Sequence, residues 1–205
     1  MPTNTTNPPP LQPGQTYHIY NRGVNREPIF REQDNYRYFL DLYTHHVGDI
    51  VDTYAYCLLG NHFHFLIRVK EPSGLTTPKD LTSADQPGLP LNPSQRFSNL
   101  FNAYARAFNK RNNRTGALFQ RPFGRIPVTT DGYFTHLLVY IHQNPQKHGL
   151  VEEYRDWTYS SYNALVGESP TRLAHADVLE YLGGPAGFEM AHREDMTSLE
   201  DESGL

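Results

Sequence analysis

Two runs rich in β-branched, aromatic and aliphatic residues, Val51 to Leu59 and His62 to Val69, are separated by Gly60-Asn61 alone. Two turn-forming residues between two such runs predict a tight hairpin, although Asn-Gly is the commoner order. An antiparallel strand pair is thereby written into the chain, and the rest of the fold has to be built around it. Within the second run, His62-Phe63-His64-Phe65 alternates with a period of two. Both phenylalanines therefore share one face of the strand and both histidines the other. We expect Phe63 and Phe65 to pack on helices, and His62 and His64 to face outward one rung apart.

The flanking segments supply the partners of this hairpin. Tyr17 to Tyr20 is a short β-rich run ending at the turn signal Asn21-Arg22-Gly23. Asp34 caps a helical stretch with Tyr38, Phe39, Leu42 and Tyr43 at helical spacing. Ser94 to Asn112 predicts a long helix, because Phe97, Leu100, Phe101, Tyr104 and Phe108 form one apolar stripe. Gly124 to Val128 reads as a strand. Thr130 or Asp131 caps a second long helix with the stripe Phe134, Leu137, Leu138 and Ile141; Pro145 should end it at Asn144. The first six elements run βαββαβ. The expected fold is α+β, a ferredoxin-like sheet with helices on one face, followed by a C-terminal helix and flexible tails.

Three segments fall outside that pattern. Residues 1–15 read as a disordered arm, polar and Pro-rich and without the apolar core of a signal peptide. Residues 71–93 hold five prolines and no periodicity, so a flexible insertion is expected within the main domain, 16–162. Residues 163–205 form an acidic tail, with a short helix near Ala176 to Leu182 and disorder beyond. At 205 residues the chain is one domain with appendages, and its 38% apolar content agrees with some of it being tail. A single cysteine, Cys57, excludes an internal disulfide framework and suits a reducing compartment. No run approaches the ~18 apolar residues of a membrane span. A soluble cytoplasmic protein is expected.

Charge is distributed unevenly. The formal net charge is −4, yet residues 1–148 carry 15 Lys and Arg against 10 Asp and Glu, while residues 149–205 carry 3 against 12. Residues 94–130 hold seven cations and no acid: Arg96, Arg106, Lys110, Arg111, Arg114, Arg121 and Arg125. Aromatic residues interleave with them. Phosphate binding depends on where cations sit, so this block is a candidate polyanion site.

Two neutral imidazoles one rung apart can bind a divalent metal, although such a pair on a half-exposed strand is often only solvated surface. On the second long helix, Tyr140 and Asn144 are i, i+4 and share a face, near His136 and Lys147. They fit a boundary tyrosine with a helix-terminal cap, or equally an exposed phenol beside a carboxamide oxygen that could complete a metal site. A phenol is a poor nucleophile near neutral pH, its pKa being ~10, so it would need a polarised phosphate to attack.

Five segments, in order, resemble the HUH single-tyrosine transposases, particularly the REP-associated tyrosine transposases of bacteria, over roughly Tyr17 to Tyr162. These are His18-Ile19-Tyr20-Asn21-Arg22-Gly23; Asn61-His62-Phe63-His64-Phe65-Leu66; Tyr104-Ala105-Arg106 with Thr115-Gly116-Ala117-Leu118-Phe119-Gln120; Tyr140-Ile141-His142-Gln143-Asn144-Pro145 with His148-Gly149-Leu150-Val151; and Asp156-Trp157 with Ser160-Ser161-Tyr162. The resemblance implies that Tyr140 is a nucleophile that becomes joined to the 5′ end of cleaved DNA. It implies that His62, His64 and Asn144 are metal ligands and that the metal is Mg2+ or Mn2+. The implied partner is single-stranded or hairpin DNA, met by a monomer or homodimer with no membrane partner. Arg22, Arg96, Arg106, Lys110, Arg114, Arg121, Arg125 and Lys147 are the candidate DNA contacts. Gly60 stands where proline is common, and Phe119 where tryptophan is frequent. Two rivals remain: a non-catalytic DNA-hairpin-binding protein, and a metal-dependent nuclease that uses water as its nucleophile.

Overall fold

The computed structural model of the chain describes residues 8–71, 82–83, 86–90 and 92–193. Strand β1 spans Thr16–Arg22, followed by helix α1 at Gln33–His46. The predicted hairpin is present as β2, Val51–Leu58, and β3, His62–Val69, with the Leu59 amide donating to the His62 carbonyl across Gly60-Asn61. Strands β4, Thr82–Ser83, and β5, Gln86–Pro90, pair with each other. Helix α2 follows at Pro93–Arg111, then β6 at Gly124–Pro127 and α3 at Asp131–Lys147. Three shorter α-helices follow among the described residues: α4 at Tyr162–Val166, α5 at His175–Leu182 and α6 at Gly184–Arg193.

Four strands form one antiparallel sheet in the order β2-β3-β1-β6, the arrangement expected of a βαββαβ chain. The period-two pattern splits its side chains between two cores. On one face Tyr17, Ile19, Phe63 and Phe65 meet Phe39 of α1 and Phe97, Leu100 and Tyr104 of α2. This layer is closed by aromatic contacts, with Phe65 stacked on Tyr43 at 4.4 Å between ring centres and Phe39 edge-on to Tyr104 at 5.1 Å. On the other face Ala55, Cys57 and Leu66 meet Leu137, Leu138 and Ile141 of α3, with Leu165, Val178 and Phe188 of the last three helices outside them. Both faces of the sheet are therefore covered. Cys57 is fully buried there, and desolvation pushes its thiol well above its ordinary range.

Glu32 rather than Asp34 caps α1, and the structure corrects four further expectations of the fold. First, His62 and His64 do not face solvent: α3 lies over them, and they are 3% and 0% exposed. Second, α3 continues past Asn144 to Lys147 with Pro145 inside it. Proline there removes one amide donor from the last turn, but Pro145 is buried, and the His148 and Leu150 amides donate to the Asn144 and Pro145 carbonyls. Third, residues 8–15 are not a free arm where described. Leu11 is buried in the first core, Gly14 N donates to Val69 O at 2.8 Å, and the Tyr17 hydroxyl donates to Pro10 O at 3.1 Å. Fourth, the tail beyond 163 does not end in disorder at 182, because α6 follows and buries Phe188 and His192. Residues 1–7 and 194–205, and most of the Pro-rich insertion, lie outside the described residues. Among the described residues no helix is long and apolar enough to cross a membrane.

Candidate active site

The histidine face of β1 and β3 and the overlying α3 bring the candidate catalytic residues together. Antiparallel register pairs Tyr20 with His64 and Arg22 with His62, so His18, Tyr20 and Arg22 share a face with the two β3 histidines. His64 Nδ1 and His18 Nε2 are 2.8 Å apart, with their rings stacked. Tyr140 on α3 is 8% exposed and stands edge-on to His64, at 5.7 Å between ring centres. Asn144, one turn on, is fully buried and donates through Nδ2 to the Tyr140 carbonyl at 3.2 Å. Lys147 places its ammonium 5.0 Å from the centre of the Tyr140 ring, and His136 stacks on that ring from the other end. His148 lies beside His62, ring centres 4.9 Å apart.

Tautomers follow from these bonds. Asn61 Nδ2 donates to the Arg26 carbonyl at 3.1 Å, which fixes the amide so that its oxygen faces His62 Nδ1 at 2.6 Å. A carbonyl oxygen only accepts, so His62 Nδ1 carries the proton and Nε2 the lone pair of the neutral ring. At His64, a lone pair on Nε2 requires Nδ1 to donate to His18. Burial, then the charges of His18, His62, His148 and Arg22, hold His64 well below the usual histidine range and keep it neutral.

The donor set fits a divalent cation. His64 Nε2 and Asn144 Oδ1 are buried and make no hydrogen bond. Two such atoms in a site of this kind call for an electrophile. Each histidine also has its second nitrogen engaged, His62 by Asn61 and His64 by His18, the usual arrangement for imidazole ligands. Among the described residues no three His, Cys, Asp or Glu side chains are grouped to hold a metal. The candidate set is two imidazoles and a carboxamide, with its third member outside those types.

The cations divide into two kinds. Arg106 and Lys110 are exposed on the outer side of α2, and Arg106 lines a cleft of about 880 Å³ between α2 and residues 116–125. Arg121, bonded to Asn102 at 3.3 Å, and Arg125, bonded to Ser94 and lying 4.6 Å over the Phe123 ring, line it too. Arg96 is different, and its place among the DNA contacts is corrected. Its guanidinium is buried and bonded to the His46 carbonyl and the Asp49 carboxylate, so it ties α2 to the end of α1. Arg114 is mostly buried, paired with Glu27 at 3.0 Å and donating to the Ala117 carbonyl at 2.9 Å, which latches the loop after α2. Arg111 pairs with Glu32 at the start of α1. Only the cations not consumed this way offer charge to a ligand. Arg22 belongs to the histidine face, whereas its neighbour Asn21 lines the cleft. The two regions thus meet at the end of β1, on opposite sides of the sheet.

Sequence reasoning gave His18 no role. It could have been found from the ferredoxin strand order, which places β1 beside β3, and from the alternation that puts His18 on the histidine face. From the sequence, His136 is only a neighbour of Tyr140 and Asn144, and His148 only a member of a segment that carries the resemblance.

The sheet order, the two helices on one face and a third helix closing a buried histidine face define an α+β protein of ferredoxin-like topology. Comparison with known proteins gives the same class. The chain is 30% identical over 114 residues to a Haemophilus influenzae protein provisionally named REP-associated tyrosine transposase, a match covering 55% of this chain and 59% of that protein. The chain thus spans about three fifths of the length of this curated relative. In fold it is similar to a solved REP-associated tyrosine transposase bound to a REP hairpin, with a TM-score of 0.53 and 18% identity over 78% of this chain and 85% of that one. No family model matches. The resemblance read from the five sequence segments is the one these comparisons return.

Proposed function

We propose that this chain is a metal-dependent tyrosine DNA transposase that cleaves single-stranded DNA beside a hairpin and rejoins it. The observation that carries this reading is the buried pair of atoms without hydrogen bonds, His64 Nε2 and Asn144 Oδ1, beside the candidate nucleophile Tyr140. The relative's name and the hairpin bound to the structural neighbour support the same substrate class.

Tyr140 Oη attacks the scissile phosphorus. The bond from phosphorus to the DNA 3′ oxygen breaks, the phenolic proton leaves, and the 3′ oxygen takes up a proton to become a hydroxyl. The new phosphotyrosine bond retains the energy of the phosphodiester, so a 3′-OH can reverse or redirect the reaction without ATP. The Lys147 ammonium over the Tyr140 ring places a positive charge beside the attacking phenol, where the anionic phosphate has to dock. His62, His64 and Asn144 would hold a divalent cation such as Mg2+ or Mn2+, which would supply the charge that polarises the phosphate. Arg22 and Lys147 neutralise phosphates near the cut, and Arg106, Lys110, Arg121 and Arg125 hold the strand where it passes around the end of β1.

The test uses a labelled pool of DNA hairpins with randomised unpaired flanks, in Mn2+. A covalent adduct on a denaturing gel is expected for the native chain and for no Tyr140→Phe protein. Cleavage without an adduct would make the chain a nuclease with a water nucleophile. Binding without cleavage would make it a hairpin-binding protein. Replacing His64 by Ala should abolish cleavage while leaving binding within a few-fold, because charge, not metal, holds the DNA.

A further inference from the structure

The closing Ser160-Ser161 segment, and a histidine pair behind α3, have no part in the chemistry above. Ser161 is fully buried. Its amide donates to the Tyr56 carbonyl at 2.9 Å, and its Oγ accepts from the Tyr56 amide at 2.8 Å. Ser160 bridges to Cys57, and Leu58 N donates to the Tyr159 carbonyl at 2.9 Å. Residues 159–161 therefore extend the sheet beyond β2. Ser161 Oγ also lies 2.8 Å from His142 Nε2, and His142 Nδ1 lies 2.8 Å from His192 Nε2. His192 Nδ1 lies 2.8 Å from the Phe188 carbonyl.

The protons in this chain have one consistent order. The Phe188 carbonyl only accepts, so His192 Nδ1 donates to it and His192 Nε2 is left as an acceptor. His142 Nδ1 must then donate to His192, which leaves His142 Nε2 to accept the Ser161 hydroxyl. That hydroxyl has a second acceptor, the Tyr56 carbonyl, only at a longer 3.2 Å. A directed relay thus runs from the β2 backbone, through Ser161, His142 and His192, to the backbone of α6. Gln143 adds a bond to the His192 carbonyl at 3.3 Å.

The relay matters because of where His142 sits. At ~100° per residue it lies about 160–200° around the helix from Tyr140 and Asn144, on the far side of α3. Cys57, paired to His64 across the β2–β3 ladder, is bridged to Ser160. A closed circuit results: His64 to β2, β2 to Ser161, Ser161 to His142, and α3 back to Tyr140 over His64. The His142 anchor acts on the rotation of α3 together with the packed Leu137, Leu138 and Ile141, and any turn of that helix moves Tyr140 and Asn144 together.

We propose that Ser161 and His192, acting through His142, are positioning residues that fix the axial rotation of α3, so that Tyr140 and Asn144 both face the β3 histidines. The proposal rests on the roles given to Tyr140 and Asn144 above, and it makes the last helix of the described chain part of the catalytic apparatus.

The experiment compares full-length His192→Gln, His192→Asn and Ser161→Ala with the native chain. Glutamine can place an acceptor oxygen where His192 Nε2 lies, whereas asparagine is too short to reach His142. Val178→Ala, in the same core but outside the relay, is the stability control. Single-turnover adduct formation is measured well below each melting temperature, with DNA affinity measured alongside. His192→Asn and Ser161→Ala should lose roughly 10- to 100-fold in rate with affinity within twofold, since displacements near 1 Å cost about that much. His192→Gln and Val178→Ala should stay within about threefold of native. Equal rates for the Gln and Asn proteins, or a matching loss in Val178→Ala, would show a merely structural role and overturn the proposal. If the native chain forms no Tyr140-dependent adduct, the reading of its function falls and the proposal with it. A native adduct with unaffected relay variants overturns the proposal alone.

Discussion

Arg96 and Arg106 lie on the same helix within the same cationic block, and the structure gives them opposite jobs. Arg96→Ala removes a buried guanidinium that holds the His46 carbonyl and the Asp49 carboxylate. Breaking a buried ion pair by deleting one partner costs ~3–5 kcal/mol. Asp49 keeps 30% of its side-chain surface exposed and can recover some hydration, so the lower end applies, about 3 kcal/mol. For a domain of this size that lowers the melting temperature by roughly 6–12 °C. Arg96 Nη1 is buried without an acceptor, a cost that an apolar side chain of similar length removes. Arg96→Met should therefore lose less than Arg96→Ala. Neither should alter DNA affinity or its salt dependence in the cold. Arg106→Ala with Lys110→Ala should do the reverse: an unchanged melting temperature, weaker binding to every sequence, and a salt slope shallower by about 0.7–0.9 for each phosphate, single-stranded or paired, that is no longer neutralised. Calorimetry and fluorescence anisotropy across a salt series read both. A reduced salt slope in Arg96→Ala with an unchanged melting temperature would refute the division.

Other outcomes follow from the same geometry. His18→Ala removes the group that orients His64, so Mn2+ affinity measured by electron paramagnetic resonance should fall ~10- to 100-fold with little change in DNA affinity. Lowering the pH should destabilise the fold through His192, whose pKa burial lowers from 6.5 to about 4. The folded protein keeps this ring neutral while the unfolded chain protonates it, so its contribution is complete above pH 6.5 and lost as pH falls toward 4. At pH 5 the loss is roughly 2 kcal/mol, and His192→Gln should flatten that part of the profile in denaturant titrations. Gly124 pairs with Tyr20, and a Cβ there would lie 2.2 Å from the Tyr20 ring. Gly124→Val should displace Tyr20 from beside His18, with a stability loss of at least ~1 kcal/mol seen on thermal unfolding.

The sequence determined what local rules determine. Gly60-Asn61 between two β-rich runs specified the hairpin, and the Phe97–Phe108 stripe specified α2 to within a residue at each end. Alternation in His62-Phe63-His64-Phe65 put both histidines on one face, and the i, i+4 spacing of Tyr140 and Asn144 put both on one side of α3. These patterns are short in range, so sequence distance measures them directly. Tertiary structure decided which face was covered. Alternation says that the histidines share a side, but only the packing of α3 on β2 and β3 buries that side. Tertiary structure also separated the cations. Arg96 and Arg106 look alike in a charge count, and Asp49, 47 positions from Arg96, makes one of them structural. The same holds for His18, 46 residues from His64, and for the Ser161–His142–His192 relay, whose partners lie 19 and 50 residues apart. Such partners are chosen by strand order and helix docking, which depend on how the whole chain buries its apolar surface rather than on any one segment's pattern.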